Sequence, residues 1–201
     1  MLDAAIELII EHGVNVSMKA IGERAGFSHG LVLARFGSKA GLNEAVAREA
    51  QRRFAESVDA SEIDAQGMAK LHRSIDIYFQ ARMTLTRAFY VLLGASLGPD
   101  PQLRAAFAHA DKLFRRNMQT TLQEALALGE IDPLIDPHAM ATLLVGMLRG
   151  VAMQYCLDPK AFEMDAVAAQ AHDFVARLHI GSDASRGAPH AHRENGRKAT
   201  A

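Results

Sequence analysis

The stretch from Ser17 to Lys39, SMKAIGERAGFSHGLVLARFGSK, constrains this chain more than any other part of it. Ile21 and Ala25 lie four residues apart, and Val32 and Phe36 repeat that spacing after the turn Ala25-Gly26-Phe27-Ser28. Such spacing puts each pair on one face of a short helix. Ser17 and Ser28 stand where N-caps belong, each with a side-chain oxygen available to the free N–H groups of a first turn. Gly26 supplies the left-handed backbone that a tight turn favours. Two short helices sharing one small core are expected here, with a further helix starting at Lys39.

Proline punctuates the rest of the chain. Asp100-Pro101, Asp136-Pro137 and Asp158-Pro159 each place a capping aspartate before a proline at the first helical position, where the missing N–H is no loss. Asp132-Pro133 is too close to Asp136 to open a helix and reads as loop. The predicted helices are 2–12, 18–25, 29–35, 39–57, 65–81, 84–97, 101–128, 137–156 and 160–179. An all-α fold follows, with a helix-turn-helix unit over 1–45 and a helical domain over 46–180. From Gly181 the sequence has no large apolar residue, so 181–201 is expected to be a disordered tail.

With 201 residues and 49% hydrophobic side chains the chain can bury a sizeable core. Its net charge is −1, which gives no overall signal for a polyanionic partner. Residues 1–57 balance as well, with Lys19, Arg24, Arg35, Lys39, Arg48, Arg52 and Arg53 against Asp3, Glu7, Glu11, Glu23, Glu44, Glu49 and Glu56. Any affinity for nucleic acid must come from the placement of charge. A single cysteine, Cys156, excludes an intrachain disulfide, and no signal-peptide pattern opens the sequence, so a cytoplasmic protein is expected. Ala139 to Leu157 is long and apolar but carries Arg149 near its middle, which favours a bundle helix over a membrane span.

Residues 2–42, LDAAIELIIEHGVNVSMKAIGERAGFSHGLVLARFGSKAGL, resemble the N-terminal DNA-binding domain of the tetracycline-repressor (TetR) family without a gap. A short second helix with a polar N-terminal end is also what reading a major groove requires. The resemblance implies a homodimeric transcriptional regulator, foremost a repressor, that binds a palindromic double-stranded DNA operator. Its larger C-terminal domain would bind a small effector and release the DNA. By the same resemblance Ser17, Ser28, His29, Gly30, Leu31, Leu33, Ala34 and Lys39 face DNA, the serines and the lysine mostly on phosphates. For the two serines plain capping is an equally good reading. Leu33 departs from the family, which commonly has a tyrosine there holding a phosphate, and Leu31 replaces a common threonine. The chain also begins inside its first helix, without the basic arm often found before it. Either the natural start lies upstream or binding is weaker than in relatives.

In the C-terminal domain Thr142, Gly146 and Gly150 recur every four residues, giving a face on which another backbone can approach closely. Together with Phe174 and Leu178 this is the candidate dimer interface, where two helices from each copy would make a four-helix contact. Tyr78, Met83, Phe89, Tyr90, Phe107, Phe114 and Met118 are suitable walls for a mid-sized, mostly hydrophobic effector, and equally suitable as core. Arg82, Arg87 and His109 are candidates for an anionic group on such a ligand.

Two readings from other classes stay open. Gly94-Ala95-Ser96-Leu97-Gly98 matches the nucleophile elbow G-x-S-x-G, so a small helical hydrolase using Ser96 is one, although the pattern needs a strand before it and a helix directly after it. A helical ligand carrier whose DNA binding has decayed at Leu33 is the other. No His-Glu-x-x-His and no cysteine pair occurs, so neither metal nor cofactor is expected.

Overall fold

The computed structural model describes residues 1–59, 65–80 and 83–178, with backbone alone at 54–59 and 83–85. The tail expected over 181–201 lies outside the described residues. Every regular element among them is a helix: α1 Leu2–His12, α2 Met18–Ala25, α3 His29–Phe36, α4 Lys39–Asp59, α5 Gly67–Gln80, α6 Met83–Ser96, α7 Pro101–Ala127, α8 Pro137–Leu157 and α9 Met164–Ala176.

The caps anticipated from sequence organise most of these boundaries. Asp100 accepts from the N–H groups of Gln102 and Leu103, each at 3.0 Å, and Asp136 from that of His138 at 2.9 Å. Asp132 sits in the loop before α8, accepting from Leu134 N–H at 2.8 Å. The exception is α9. Asp158 does accept from Lys160 N–H, at 3.0 Å, but the turn it opens does not propagate. Phe162 packs its ring 5.8 Å from that of Tyr155 on α8, and the helix begins only at Met164, with no side-chain cap at Glu163. The start predicted at 160 is therefore four residues early, because a capped turn was mistaken for a helix that an aromatic contact diverts.

Two cores hold the chain together. The first joins Ile6, Ile9, Ile21, Leu42 and Val46 of the N-terminal helices to Ala88 and Leu92 of α6 and to Leu103 and Phe107 of α7. The second gathers Leu71 and Ile75 of α5, Met118 and Leu122 of α7, Leu144 and Leu148 of α8, and Val175 of α9. Helix α7 thus belongs to both, its N-terminal turns in one and its later turns in the other. The whole of α4 is continuous through residue 45, and Leu42 and Val46 on either side of that point share the first core.

Among the described residues α8 alone is long and apolar enough to cross a membrane, with 21 residues and an 18-residue stretch of mean hydropathy 1.4. It is two-faced. Ala141, Leu144, Val145 and Leu148 are buried, whereas Thr142, Leu143, Gly146 and Met153 are exposed.

Candidate nucleic-acid interface and aromatic seam

In the N-terminal unit a short, tight turn sets α3 against α2. Gly26 takes φ 74°, the left-handed conformation, and its N–H caps α2. Gly22 has a different role: a β-carbon there would meet the carbonyl oxygen of Phe27 at 2.7 Å, so only glycine lets the turn fold back on α2. Sequence spacing did not single out Gly22, because a close backbone approach leaves no periodic signal.

Helix α3 buries Val32 and half-buries Phe36 while exposing His29, Gly30, Leu31, Leu33, Ala34 and Arg35. Leu31 is 49% exposed and Leu33 43%, values that a short helix with a dry outer face would not show. Ser17 accepts from Ala20 N–H at 3.1 Å and Ser28 from Leu31 N–H at 3.2 Å. Ser38 caps α4 in the same way, accepting from Gly41 N–H at 3.0 Å. All three serines are exposed. An exposed capped N-terminus concentrates backbone donors at the positive end of the helix dipole, which suits an anion. Ser38 was missed in sequence, though the same Ser-then-helix pattern that marked Ser28 marks it.

Charge here is largely consumed within the unit. Arg24 clasps Glu7 and Glu11 of α1 at 3.2 and 3.0 Å, Lys19 reaches Glu23 at 3.7 Å, and Arg52 reaches Glu49 at 2.7 Å. Arg48 pairs with Glu44, and Arg53 with Asp3 and Glu49, the last two at 2.6 Å. Among the described residues only Arg35 and Lys39 of the seven basic side chains lack a carboxylate partner. Arg35 stacks 5.7 Å from the centroid of Phe36 on the exposed end of α3. The Lys39 ammonium is buried without a hydrogen-bond partner, and that burial pushes it down to about 8. Beside α3 an open cleft of about 610 Å³ is lined by Leu2, Asp3, Phe27, Leu31, Ala34 and Arg53.

The second assembly lies where the two cores meet. Phe89 and Phe107, 5.1 Å apart by ring centroid, pack with the first core, while Tyr78 and Phe114, stacked at 5.6 Å, pack with the second. Tyr90 bridges them: its hydroxyl lies 3.0 Å from that of Tyr78 and donates to the carbonyl of Arg149 at 3.0 Å. Burial raises both phenols, which keeps them neutral. Arg149 places its guanidinium 5.9 Å from the Phe89 centroid and 5.7 Å from that of Phe114, and pairs with Asp111 of α7. Of the effector candidates, Tyr78, Phe89, Tyr90 and Phe114 are thus brought together. Phe107 stands behind Phe89 in the first core and Met118 lies in the second, both buried, and the Met83 side chain and Arg82 lie outside the described residues. Arg149 was visible in sequence only as an oddity in an apolar run. Its partner Asp111, 38 residues earlier, carried no local sign of the pairing.

The dimer candidates split by exposure. Thr142, Gly146 and Phe174 are exposed, and Gly150 and Leu178 half-buried. A β-carbon at Gly146 or Gly150 would meet nothing within 4 Å, so this glycine face is unused inside the subunit. Ser96, by contrast, closes a helix rather than following a strand. It is 2% exposed and donates its hydroxyl to the carbonyl of Leu93 at 2.7 Å.

Comparison with known proteins agrees with this architecture. The family described as "Bacterial regulatory proteins, tetR family" matches residues 1–46, and "BetI-type transcriptional repressor, C-terminal" matches residues 67–179. The chain belongs to the tetR family. It is 29% identical over 145 residues to the HTH-type transcriptional regulatory protein RaaS of Mycobacterium tuberculosis (strain ATCC 25618 / H37Rv), a match covering 71% of this chain and 63% of that protein. In fold, this tetR-family chain is similar to a TetR-family protein from Rhodococcus sp., with a TM-score of 0.76 at 20% identity over 89% of this chain and 95% of that one. A Saccharomonospora viridis protein in complex with choline gives 0.76 at 19% identity, covering 87% and 92%. SmeT, the repressor of the Stenotrophomonas maltophilia multidrug efflux pump SmeDEF, gives 0.71 at 20% identity, covering 90% and 89%.

Proposed function

We propose that this tetR-family chain is a homodimeric repressor that reads a two-fold symmetric DNA operator with α3 and releases it when a small, mostly hydrophobic effector enters the aromatic seam. The observation that carries the reading is the outward face of α3: seven consecutive positions, 29–35, with Val32 the single buried residue among them, set beside three exposed serine-capped helix starts. His29 can hydrogen-bond a base edge, and Leu31 and Leu33 can touch thymine methyl groups, whereas Ser17, Ser28 and Lys39 would meet phosphates. Gly30 and Ala34 keep the helix surface low enough for close approach.

The seam supplies a route from effector to DNA. A ligand wedged among Tyr78, Phe89, Tyr90 and Phe114 would separate side chains that belong to different cores, and α6 carries Phe89 while packing against α1 and α4. The two α3 helices of a dimer would then no longer match successive major grooves, at a coupling cost of ~1–3 kcal/mol. The face of Thr142, Gly146 and Gly150, with Phe174 and Leu178 beside it, would join the two copies.

Selection from random duplexes tests the reading directly. The protein should enrich a palindrome whose half-sites are about one helical turn, or a multiple of it, apart. Enrichment of no sequence, or of a single asymmetric site by a monomer, would overturn it. The buried, internally bonded Ser96 gives the hydrolase reading no comparable support.

A further inference from the structure

Among the described residues the charges in the seam do not balance. Asp111 takes both Arg149 and Arg115, the second at 2.7 Å, so two guanidinium groups share one carboxylate. The Arg149 side chain is only 19% exposed and sits between two aromatic rings. The Nε of Arg115 is buried with no hydrogen-bond partner. Arg115 keeps 38% of its side chain exposed, so the unmet demand falls on the buried Arg149, which holds only a shared carboxylate, and on the unfilled Nε of Arg115, and both favour the arrival of an acceptor. The Tyr90 hydroxyl does not fill that need, since it is committed to the Arg149 carbonyl and to Tyr78.

From this imbalance we infer that the seam takes an amphipathic anion, a carboxylate carried on an apolar or aromatic body, whose head replaces Asp111 on the Arg149 guanidinium. The inference rests on the effector reading above and names the ligand's charge. The head would form charge-assisted, geometrically paired hydrogen bonds with Arg149, and Arg115 would keep Asp111 as its own partner. The body would lie against Phe89, Phe114 and Tyr78. A cationic ligand of the same size would face two guanidinium groups with one carboxylate between them. A neutral one would leave the excess charge as it is. Because Arg149 is on α8, two of whose neighbouring residues, Gly146 and Gly150, form the unused glycine face, release of its bond to α7 would reach the surface proposed to join the two copies.

Three probes with one tail separate the possibilities: decanoate, decanol and decyltrimethylammonium, each titrated below its micelle concentration into the full chain. Decanoate should bind at least about tenfold more tightly than decanol, the value of one charged hydrogen-bonded contact, and decyltrimethylammonium more weakly than either. Arg149→Gln should erase the preference for decanoate. Asp111→Asn should raise decanoate affinity, since it removes the internal competitor, and this variant keeps the test decisive if Arg149→Gln fails to fold. Equal binding of the three probes, tighter binding of the cation, or an Asp111→Asn variant that loses decanoate would overturn the inference while leaving a hydrophobic effector site. Binding of none of the three would count against the effector reading itself.

Discussion

Helices α3 and α8 each turn an apolar, unpacked face to the outside, and the two faces differ in what surrounds their leucines. On α3 the exposed Leu31 and Leu33 are framed by donors: capped N-termini at Ser17, Ser28 and Ser38, the imidazole of His29, and the exposed guanidinium of Arg35. On α8 the exposed Leu143, 64% accessible, and Met153 flank glycines and Thr142, whose hydroxyl is already donated to the His138 carbonyl at 3.1 Å. An apolar surface ringed by donors suits a polar, anionic partner that must be read in detail. One ringed by small residues suits close packing against a surface like itself.

The largest test breaks the α8 half of that contrast. Gly146→Leu and Gly150→Leu each add a side chain to open space within the subunit, so the fold should keep its helical circular dichroism. In a dimer the same side chains would overpack the interface, at a cost of ~1–3 kcal/mol. Monomers by sedimentation and complete loss of the selected operator are expected, because two α3 helices must be held about 34 Å apart to reach successive grooves. Dimers that persist in both variants would move the interface to another surface, with α9 and its exposed Phe174 the next candidate.

On the α3 side, Lys39→Ala should weaken binding to all duplexes alike and reduce the steepness of the salt dependence by about one unit. There is a pH signature as well. The Lys39 amine loses its proton near pH 8 in the free protein, and a phosphate would raise that value in the complex. Affinity should therefore be full below pH 8 and fall as pH rises through 8 toward the higher value of the complex, and Lys39→Ala should flatten that decline. An identical pH profile in wild type and variant would remove Lys39 from the contact.

A smaller gain is expected from Leu33→Tyr, which adds a phenol at a position that is 43% exposed on the outer face of α3. One new phosphate hydrogen bond should tighten operator binding by roughly 1 kcal/mol, measurable by fluorescence anisotropy. No gain would mean that α3 lies at a different angle in the groove.

The smallest effect concerns a contact outside both faces, which tells whether acid acts on the scaffold or on the surfaces. His72 of α5 and His172 of α9 place their Nδ1 atoms 2.7 Å apart, with Asp76 on the far nitrogen of His172 at 2.8 Å. Burial, and then the neighbouring His172, lower the affinity of His72 for a proton, while Asp76 opposes them. An imidazole protonated less readily when folded than when unfolded costs stability as pH falls below about 6.5. Thermal unfolding should thus shift modestly downward between pH 7.5 and 5, and His72→Gln should reduce that shift. A pH dependence unaltered by the substitution would place the acid sensitivity elsewhere.

Local chemistry made α1 to α3 legible from sequence nearly to the residue, because caps at Ser17 and Ser28 and the Gly26 turn act within a few positions of themselves. The exposed residues of α3 were legible for the same reason, since Ile21, Val32 and Phe36 fixed which side was buried. Helix α9 was misread at its start because the Tyr155–Phe162 contact that diverts the chain is tertiary. The seam was half legible: its aromatic residues show as stripes on their own helices, but nothing within α7 or α8 reveals that Asp111 and Arg149 meet. Gly22 escaped notice because what it avoids, the Phe27 carbonyl, is brought back onto it only when the turn closes.

The internal ion pairs of the N-terminal unit bear on how such a protein would find its site. Five of its seven basic side chains are occupied by carboxylates of the same unit, among them Arg24 on Glu7 and Glu11 and Arg53 on Asp3 and Glu49. A surface so neutralised is held only weakly by random duplex, so each visit to the wrong sequence would be brief. The search would then run as many short excursions through solution rather than long one-dimensional slides along the chromosome, and recognition would be decided almost entirely at the moment α3 meets its own bases.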